Sequence, residues 1–467
     1  MVFTLKHLAK LFTAAALFSI VIVMSSTFFP FIGGKYYFFR VMTELGLMFL
    51  LFWWAFEAED GALGKRLQRI SRRPLFIAVS TFALVFTLAS IFAYDPYGAF
   101  WSNYERGEGG FQMIHYYLFF ILLSVLFDRP ADWKMLFRVG MVAAICMIGY
   151  GLIAAAGVSG FVGPYFVDSY KDVTPSIAHI LPNIFEPNSR FQGSLGNPAY
   201  VAPYLLFILF YTLWLWATEP RTRKNHMLYG ALTAVFLLFF ILSQTRGAFI
   251  GIIAGAFVFL AAFAWTDRKR RKYIIGGIGL LIAALLLMAY LFTGRADLER
   301  QITAGRLLNM SFSEQSAQTR FWTWGSAWRG FLDRPLLGWG PENFSAAFDK
   351  HFDIRHFVPG ASSETWFDRA HSIVFDYLAE TGLLGFGAFV GMFVVFFWEL
   401  VRRVRRALPV HLGNAVRRLS PVEIALLAAL PVAYLVQGLI LFDVLPIYMN
   451  LFFFFAFAGA MFGSEQP

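Results

Sequence analysis

A chain of 467 residues that is 58% hydrophobic and 15% charged, with 56 Phe and 13 Trp, is too apolar for a soluble globule and has the composition of a bilayer-spanning protein. Its net charge of +10 would point to nucleic acid in a soluble protein, but the basic residues fall mostly in short loops between apolar runs, which argues against nucleic acid as a partner. The one cysteine, Cys146, lies inside an apolar run, so neither a disulfide framework nor a thiolate metal cluster can be built.

In chain order, apolar runs of membrane-spanning length predict helices near 11–32, 36–56, 75–93, 111–127 and 135–158, then near 199–216, 227–243, 247–265 and 273–292, and finally near 383–400, 422–443 and 446–463. The first run lacks a small-residue cleavage site and reads as a retained helix. The expected fold class is all-α: a polytopic membrane protein with about twelve transmembrane helices, treated as a single integral membrane domain over residues 1–467. An even number of spans puts both termini on one side. With Lys6 and Lys10 cytoplasmic, the loops KRLQRISRRP, PRTRK, DRKRRK and VRRVRRALPVHLGNAVRR become cytoplasmic as well, in accord with retention of positive loops on that face.

Three substantial segments then face the extracytoplasmic side: 94–110, 159–198 and a long stretch over 293–382 between the ninth and tenth spans. The last is far longer than a connector requires, and its TRFWTWGSAWRGFLDRP and SIVFDYLAETG portions carry apolar residues at helical spacing between Pro and Gly. A helical subdomain of short surface helices is expected there.

Cations on that side run against the positive-inside bias and need a reason. Arg246, in SQTRGA, sits where the chain reverses between two spans; it serves either as an anion contact or as a headgroup anchor. Arg190, in RFQGSLGNP, precedes a Gly-rich turn and a helix start whose backbone N–H groups could seat a phosphate, with the guanidinium adding a bidentate fork. An ordinary Gly/Pro turn with an exposed arginine is the plain alternative. His371, in DRAHS, has an unperturbed pKa near neutrality suited to a general base or a phosphate donor, with His351 and His356 as nearby alternatives. Arg106, among the aromatic and polar residues of WSNYERGEG, fits a sugar-binding surface or an aromatic interface belt, and Arg320, opening the TRFWTWGSAWRG segment, shares that ambiguity. Arg40 and Glu44, four apart in the second span, are expected to pair with each other.

The succession RFQGSLGNP, SQTRGA, PLLGWGPENF and DRAHSIVFDYLAETGLLG resembles the bacterial O-antigen ligase and O-antigen polymerase family of integral membrane glycosyltransferases, from about Arg106 to Gly385. Two departures stand out: Ser372 follows the histidine where such proteins often carry Asn, and SQT replaces a serine-rich stretch before the arginine. The resemblance implies a GT-C-like architecture in the bacterial inner membrane. It also implies an undecaprenyl-diphosphate-linked saccharide donor, a lipid- or protein-linked glycan acceptor, and inverting transfer on the extracytoplasmic face without metal or other cofactor. Arg190 and Arg246 would match the diphosphate-binding arginines, assisted by Arg320 or Arg106, and His371 the active-site histidine. Ligase, repeat-unit polymerase and protein O-oligosaccharyltransferase remain open within that reading. A transporter or lipid-glycan flippase is the rival of another class, but it should show two similar halves and ionisable groups near the bilayer midplane.

Overall fold

Inside a bilayer a backbone must satisfy its own hydrogen bonds, so long apolar runs become helices. The computed structural model describes residues 4–59, 61–103, 106–158, 175–186, 189–292, 315–357, 365–412 and 415–463. In order these form α1 (Leu5–Ala15), α2 (Gly33–Phe56), α3 (Ala62–Ser71), α4 (Pro74–Ile91), α5 (Pro96–Trp101), α6 (Gly110–Leu126), α7 (Pro130–Ala155), α8 (Ile180–Phe185) and α9 (Pro198–Thr218). There follow α10 (Arg223–Leu242), α11 (Arg246–Thr266), α12 (Arg271–Phe292), α13 (Gln315–Asp333), α14 (Phe344–Lys350) and α15 (Ile373–Arg406), then a short hairpin of β1 (Val410–Leu412) and β2 (Ala415–Arg417), α16 (Pro421–Gly438) and α17 (Leu445–Phe462). Among the described residues nine helices are long and apolar enough to cross a membrane, and α6 is a shorter apolar helix. The protein is therefore an all-α polytopic membrane protein. The expected segments 159–198 and 293–382 fall partly outside the described residues, as do Tyr104 and Glu105.

Two expectations require correction. The run over 11–32 is not one helix: α1 tightens into a 3-10 turn over Ala16–Val21, and Ile22 is extended. Ser25, Ser26 and Thr27 follow, residues whose hydroxyls compete for local backbone, as Thr27 Oγ1 does by donating to Met24 O at 2.8 Å, and Pro30 cannot continue a helix. Nor do Arg40 and Glu44 pair with each other. Arg40 donates to Gln112 Oε1 at 2.7 Å and Gly107 O at 2.9 Å, and Glu44 meets His115 Nε2 at 2.9 Å, so both tie α2 to α6 and the loop before it. The hairpin after α15 is a small β element in the last basic loop, paired Val410 to Arg417 and Leu412 to Ala415.

Helix α17 is the axis of the bundle, buried along nearly its whole length and rich in phenylalanine. Its Asn450 accepts from Tyr211 Oη at 2.6 Å, which satisfies an amide that would otherwise be stranded. Helices α11 and α16 approach closely along Gly247, Gly251 and Gly255, a small-residue stripe at four-residue spacing. A Cβ at Gly251 would stand 2.5 Å from Ala433 O, against backbone that cannot yield. Gly251→Leu is expected to destabilise the fold by about 1–3 kcal/mol through overpacking, read by SDS or thermal unfolding. Unchanged unfolding would show that the α11–α16 contact is not this tight.

The ion pairs divide the molecule into two ends. At one lie Lys10–Asp132 at 2.8 Å, Arg66–Asp128 at 2.8 Å and Arg138–Glu219 at 2.8 Å, joining α1, α3 and α7 to each other and to adjoining loops. At the other, the segments around Arg106, Arg190, Thr245, Glu342 and His371 converge.

Candidate active site

The PLLGWGPENF motif and the start of α15 explain each other. Helix α15 breaks at Gly382, whose φ of +63° is in the left-handed region that favours glycine. A break frees two carbonyls and two N–H groups, and residues 335–340 take all four. Trp339 N and Gly340 N donate to Ala379 O and Glu380 O at 2.8 Å each, while Leu383 N and Leu384 N donate to Pro335 O and Leu336 O at 2.8 and 3.2 Å. Gly338 permits that approach, since a Cβ there would lie 2.4 Å from Glu380 C. The SIVFDYLAETG helix expected from the sequence is thus the first segment of α15, separated by this break from the longer apolar segment.

The break also aims Glu380. Its carboxylate accepts from Glu342 N at 3.1 Å and from Arg369 Nη1 at 2.9 Å, and Arg369 reaches Glu342 through its other nitrogen. All three side chains are buried, and the guanidinium is held between two carboxylates, one on each Nη. Next to this triad, Arg106 pairs with Asp368 at 2.5 Å. Burial opposes ionisation of Asp368, but Arg106 outweighs it and holds the carboxyl below the ordinary range. Arg106 is only 9% exposed, while the neighbouring Trp101 is half-exposed.

Phe442, in the loop between α16 and α17, gathers the site. Arg106 and Arg369 lie over its ring at 5.2 and 5.7 Å, and the His371 ring meets it edge-on at 5.1 Å. His371 Nδ1 lies 3.1 Å from Arg369 O, and because a carbonyl only accepts, Nδ1 carries the proton and Nε2 the lone pair. Burial lowers its pKa to about 4, with the Arg320 and Arg106 charges acting in the same direction. His371 also has a left-handed φ of +54°, as do Glu342 at +62° and Gln244 at +49°; strained non-glycine residues of this kind concentrate at functional sites.

Arg190 and Arg246 belong to one adjoining turn. Arg190 Nε donates to Ser243 O at 3.2 Å and Nη2 to Thr245 Oγ1 at 3.4 Å, while Thr245 Oγ1 donates to Pro198 O at 2.9 Å. Arg246 opens α11 beside them. From the start of α9 the route to the other residues is short, because Tyr200 packs against Phe442 at 6.3 Å between ring centres. The Gly-rich turn before α9 is anchored from within. Ser194 and Leu195 are buried, with Ser194 Oγ donating to Ile20 O at 2.7 Å, so this turn packs against the chain after α1.

Sequence reading thus named five residues, and the structure joins Arg106, Arg320 and His371 on one side and Arg190 and Arg246 on the other. It did not single out Arg369, Glu342, Glu380 or Phe442. Arg369 was within reach as the neighbour of His371; Phe442 looks like any other apolar residue. His351 pairs with Asp333 at 2.7 Å, and His356 is enclosed by Phe348, Phe352 and Phe367, so both are accounted for by the loop's own packing. Among the described residues, no group of three His, Cys, Asp or Glu side chains is placed to hold a metal ion.

Beside Arg106 a narrow cavity of ≈ 20 Å³ is lined by Phe31, Lys35, Glu108, Tyr200 and Leu445. Burial pushes the Glu108 carboxyl up to about 8 and that of Asp443, deeper in, up to about 7. Tyr116 Oη donates to Glu108 at 2.8 Å and Tyr434 Oη to Asp443 at 2.5 Å. Weakening both carboxylates limits further negative charge beside Arg106 and Arg369, which already pair with Asp368, Glu342 and Glu380.

A polytopic helical bundle with a cationic, histidine-bearing site at one end is the class defined by these features. Residues 231–390 match the O-antigen ligase family, a stretch that takes in Arg246, Arg320, Arg369 and His371. Over that stretch the chain is similar to the O-antigen ligase family, and the match sits in a multi-pass helical membrane protein. No curated protein matches the chain.

Proposed function

We propose that this protein transfers a glycan from undecaprenyl diphosphate to an acceptor hydroxyl on the extracytoplasmic face of the bacterial inner membrane, with inversion at the anomeric carbon. The observation that carries the reading is the gathering of Arg106, Arg369 and His371 around Phe442, next to the Arg190–Arg246 turn. The acceptor oxygen forms its bond to the anomeric carbon as the bond from that carbon to the diphosphate oxygen breaks. The electron pair leaves with undecaprenyl diphosphate, and the hydroxyl proton passes to His371 Nε2.

Charge on the leaving diphosphate is the main electrostatic problem. Arg190 and Arg246, with Arg320 and Arg106 assisting, meet it with guanidinium groups held in place by the fold, the task a divalent cation performs elsewhere. The low proton affinity of His371 follows first from burial and then from those cations. An arriving diphosphate offsets the cations, so donor binding raises the affinity of Nε2 for a proton when a base is needed. The acceptor is a lipid- or protein-linked glycan or hydroxyl; ligation onto a surface glycolipid is the leading form, with repeat-unit polymerisation and protein O-glycosylation as the others.

Deleting the protein in its native host and complementing with wild type or Arg246→Ala tests this. Accumulated full-length lipid-linked polymer marks a ligase, shortened chains on an intact anchor a polymerase, and unmodified glycoprotein a protein glycosyltransferase. Arg246→Ala is expected to insert normally and to leave the deletion phenotype unrepaired. Full repair by that variant, or an unaltered glycan profile after deletion, would sink the proposal.

A further inference from the structure

At the end of the bundle opposite the candidate site, basic residues that topology alone would explain are drawn into one place. A cleft of ≈ 480 Å³ between α3, the start of α4 and the end of α15 is lined by Lys65, Arg69, Arg72, Arg73, Arg402 and Arg403, with His411 beside them. The only carboxylate in this lining is Glu399, which pairs with Arg403 and stands 3.8 Å from Arg402. A second hollow of ≈ 480 Å³ shares Arg403 and Leu408 with the first and adds Arg268, Arg405 and Arg418. Positive-inside bias requires cations in these loops but not that cations from four separate segments converge on a hollow, since like charges in proximity repel.

Two of the lining groups keep a donor that is unspent among the described residues. Arg403 is 8% exposed and its Nε has no hydrogen-bond partner, and the buried Nε of Arg73 has none. Arg73 Nη1 donates to Gly459 O at 3.0 Å, and Arg403 divides its two Nη groups between the Glu399 carboxylate and Phe462 O. Burial, with Arg66 and Arg69 nearby, lowers the pKa of Arg73 to about 10, a cost that an anion in the cleft would relieve.

The level of the cleft identifies the source of the anion. Arg402 lies over the ring of the half-exposed Trp398 at 5.3 Å, and Trp265 borders the second hollow and is also half-exposed. Exposed tryptophans at the ends of apolar helices sit at headgroup depth, so both hollows open where lipid phosphates lie. We propose that this paired basic cleft binds the headgroup phosphate of an anionic phospholipid, with Arg403 between its two halves.

The test uses full-length protein in phosphatidylcholine nanodiscs titrated with phosphatidylglycerol, bound lipid being counted by native mass spectrometry. Saturable binding is expected, weakened roughly 100-fold when Arg69, Arg72 and Arg402 are all replaced by Gln. A control with Arg221, Arg223 and Lys224 changed to Gln removes the same charge outside the cleft and is expected to bind as wild type. Should the first triple variant fail to fold, Arg402→Gln alone carries the test, with a loss of roughly fivefold expected. Equal weakening in both triple variants reduces the effect to bulk charge and overturns the site. Displacement of the lipid by millimolar inorganic phosphate overturns the lipid assignment in favour of soluble phosphate, and resistance to it supports the proposal.

Discussion

Arg369→Met is expected to destabilise the protein by about 3–5 kcal/mol, the largest effect of any single substitution at this end of the bundle. The cause is not loss of attraction alone. Glu342 and Glu380 are buried around the guanidinium, and removing it strands two carboxylates that pair with nothing else of opposite charge in the described network. The triple variant Arg369→Met/Glu342→Gln/Glu380→Gln is expected to regain most of the loss, because buried ion networks can be replaced by neutral groups far more cheaply than they can be broken. SDS or thermal unfolding of the three proteins checks it. A single variant as stable as wild type would mean that the carboxylates reach water or protonate at little expense.

His371→Ala should lower turnover by about 10²–10⁴-fold while donor affinity changes little, the range for removing a positioned base. A pH profile separates a proton acceptor from a mere phosphate contact. The pKa of His371 is lowered to about 4 from the ordinary 6.5, so the imidazole is neutral at physiological pH and activity falls on the acid side as it gains a proton. Arg320 and Arg106 both press that value down, so Arg320→Gln is expected to move the acid limb to higher pH. For stability the sign is the same: a depressed histidine contributes fully above 6.5, and its contribution is lost as pH falls from there toward about 4, where the unfolded chain binds the extra proton. An acid limb that stays put in Arg320→Gln and persists in His371→Ala would remove His371 from the proton transfer.

Several features of the site were legible because they depend on neighbouring residues alone. SQTRGA, squeezed between two apolar runs, had to form a tight turn at a membrane face, and α11 does begin at Arg246. Asn197-Pro198 had to start a helix, and Asn197 does cap α9 by accepting from Ala199 N at 2.9 Å. The failures are of another kind. Arg40 found partners across the bundle rather than four residues along its own helix, and the partner of Arg106, Asp368, comes from far away in sequence.

By itself, then, the sequence determined the class of molecule, the axial extent of most helices and the separation of its basic loops from the candidate site. Hydrophobicity and positive charge act residue by residue against the membrane, whatever the helices later do to one another. The tertiary structure alone decided the break at Gly382 and the clamp on Arg369. It also decided the convergence of Arg106 and His371 on Phe442 and the gathering of loop arginines into a cleft. Each of these depends on side-chain directions and interhelical distances of a few ångströms, which packing of distant segments sets and no local pattern encodes.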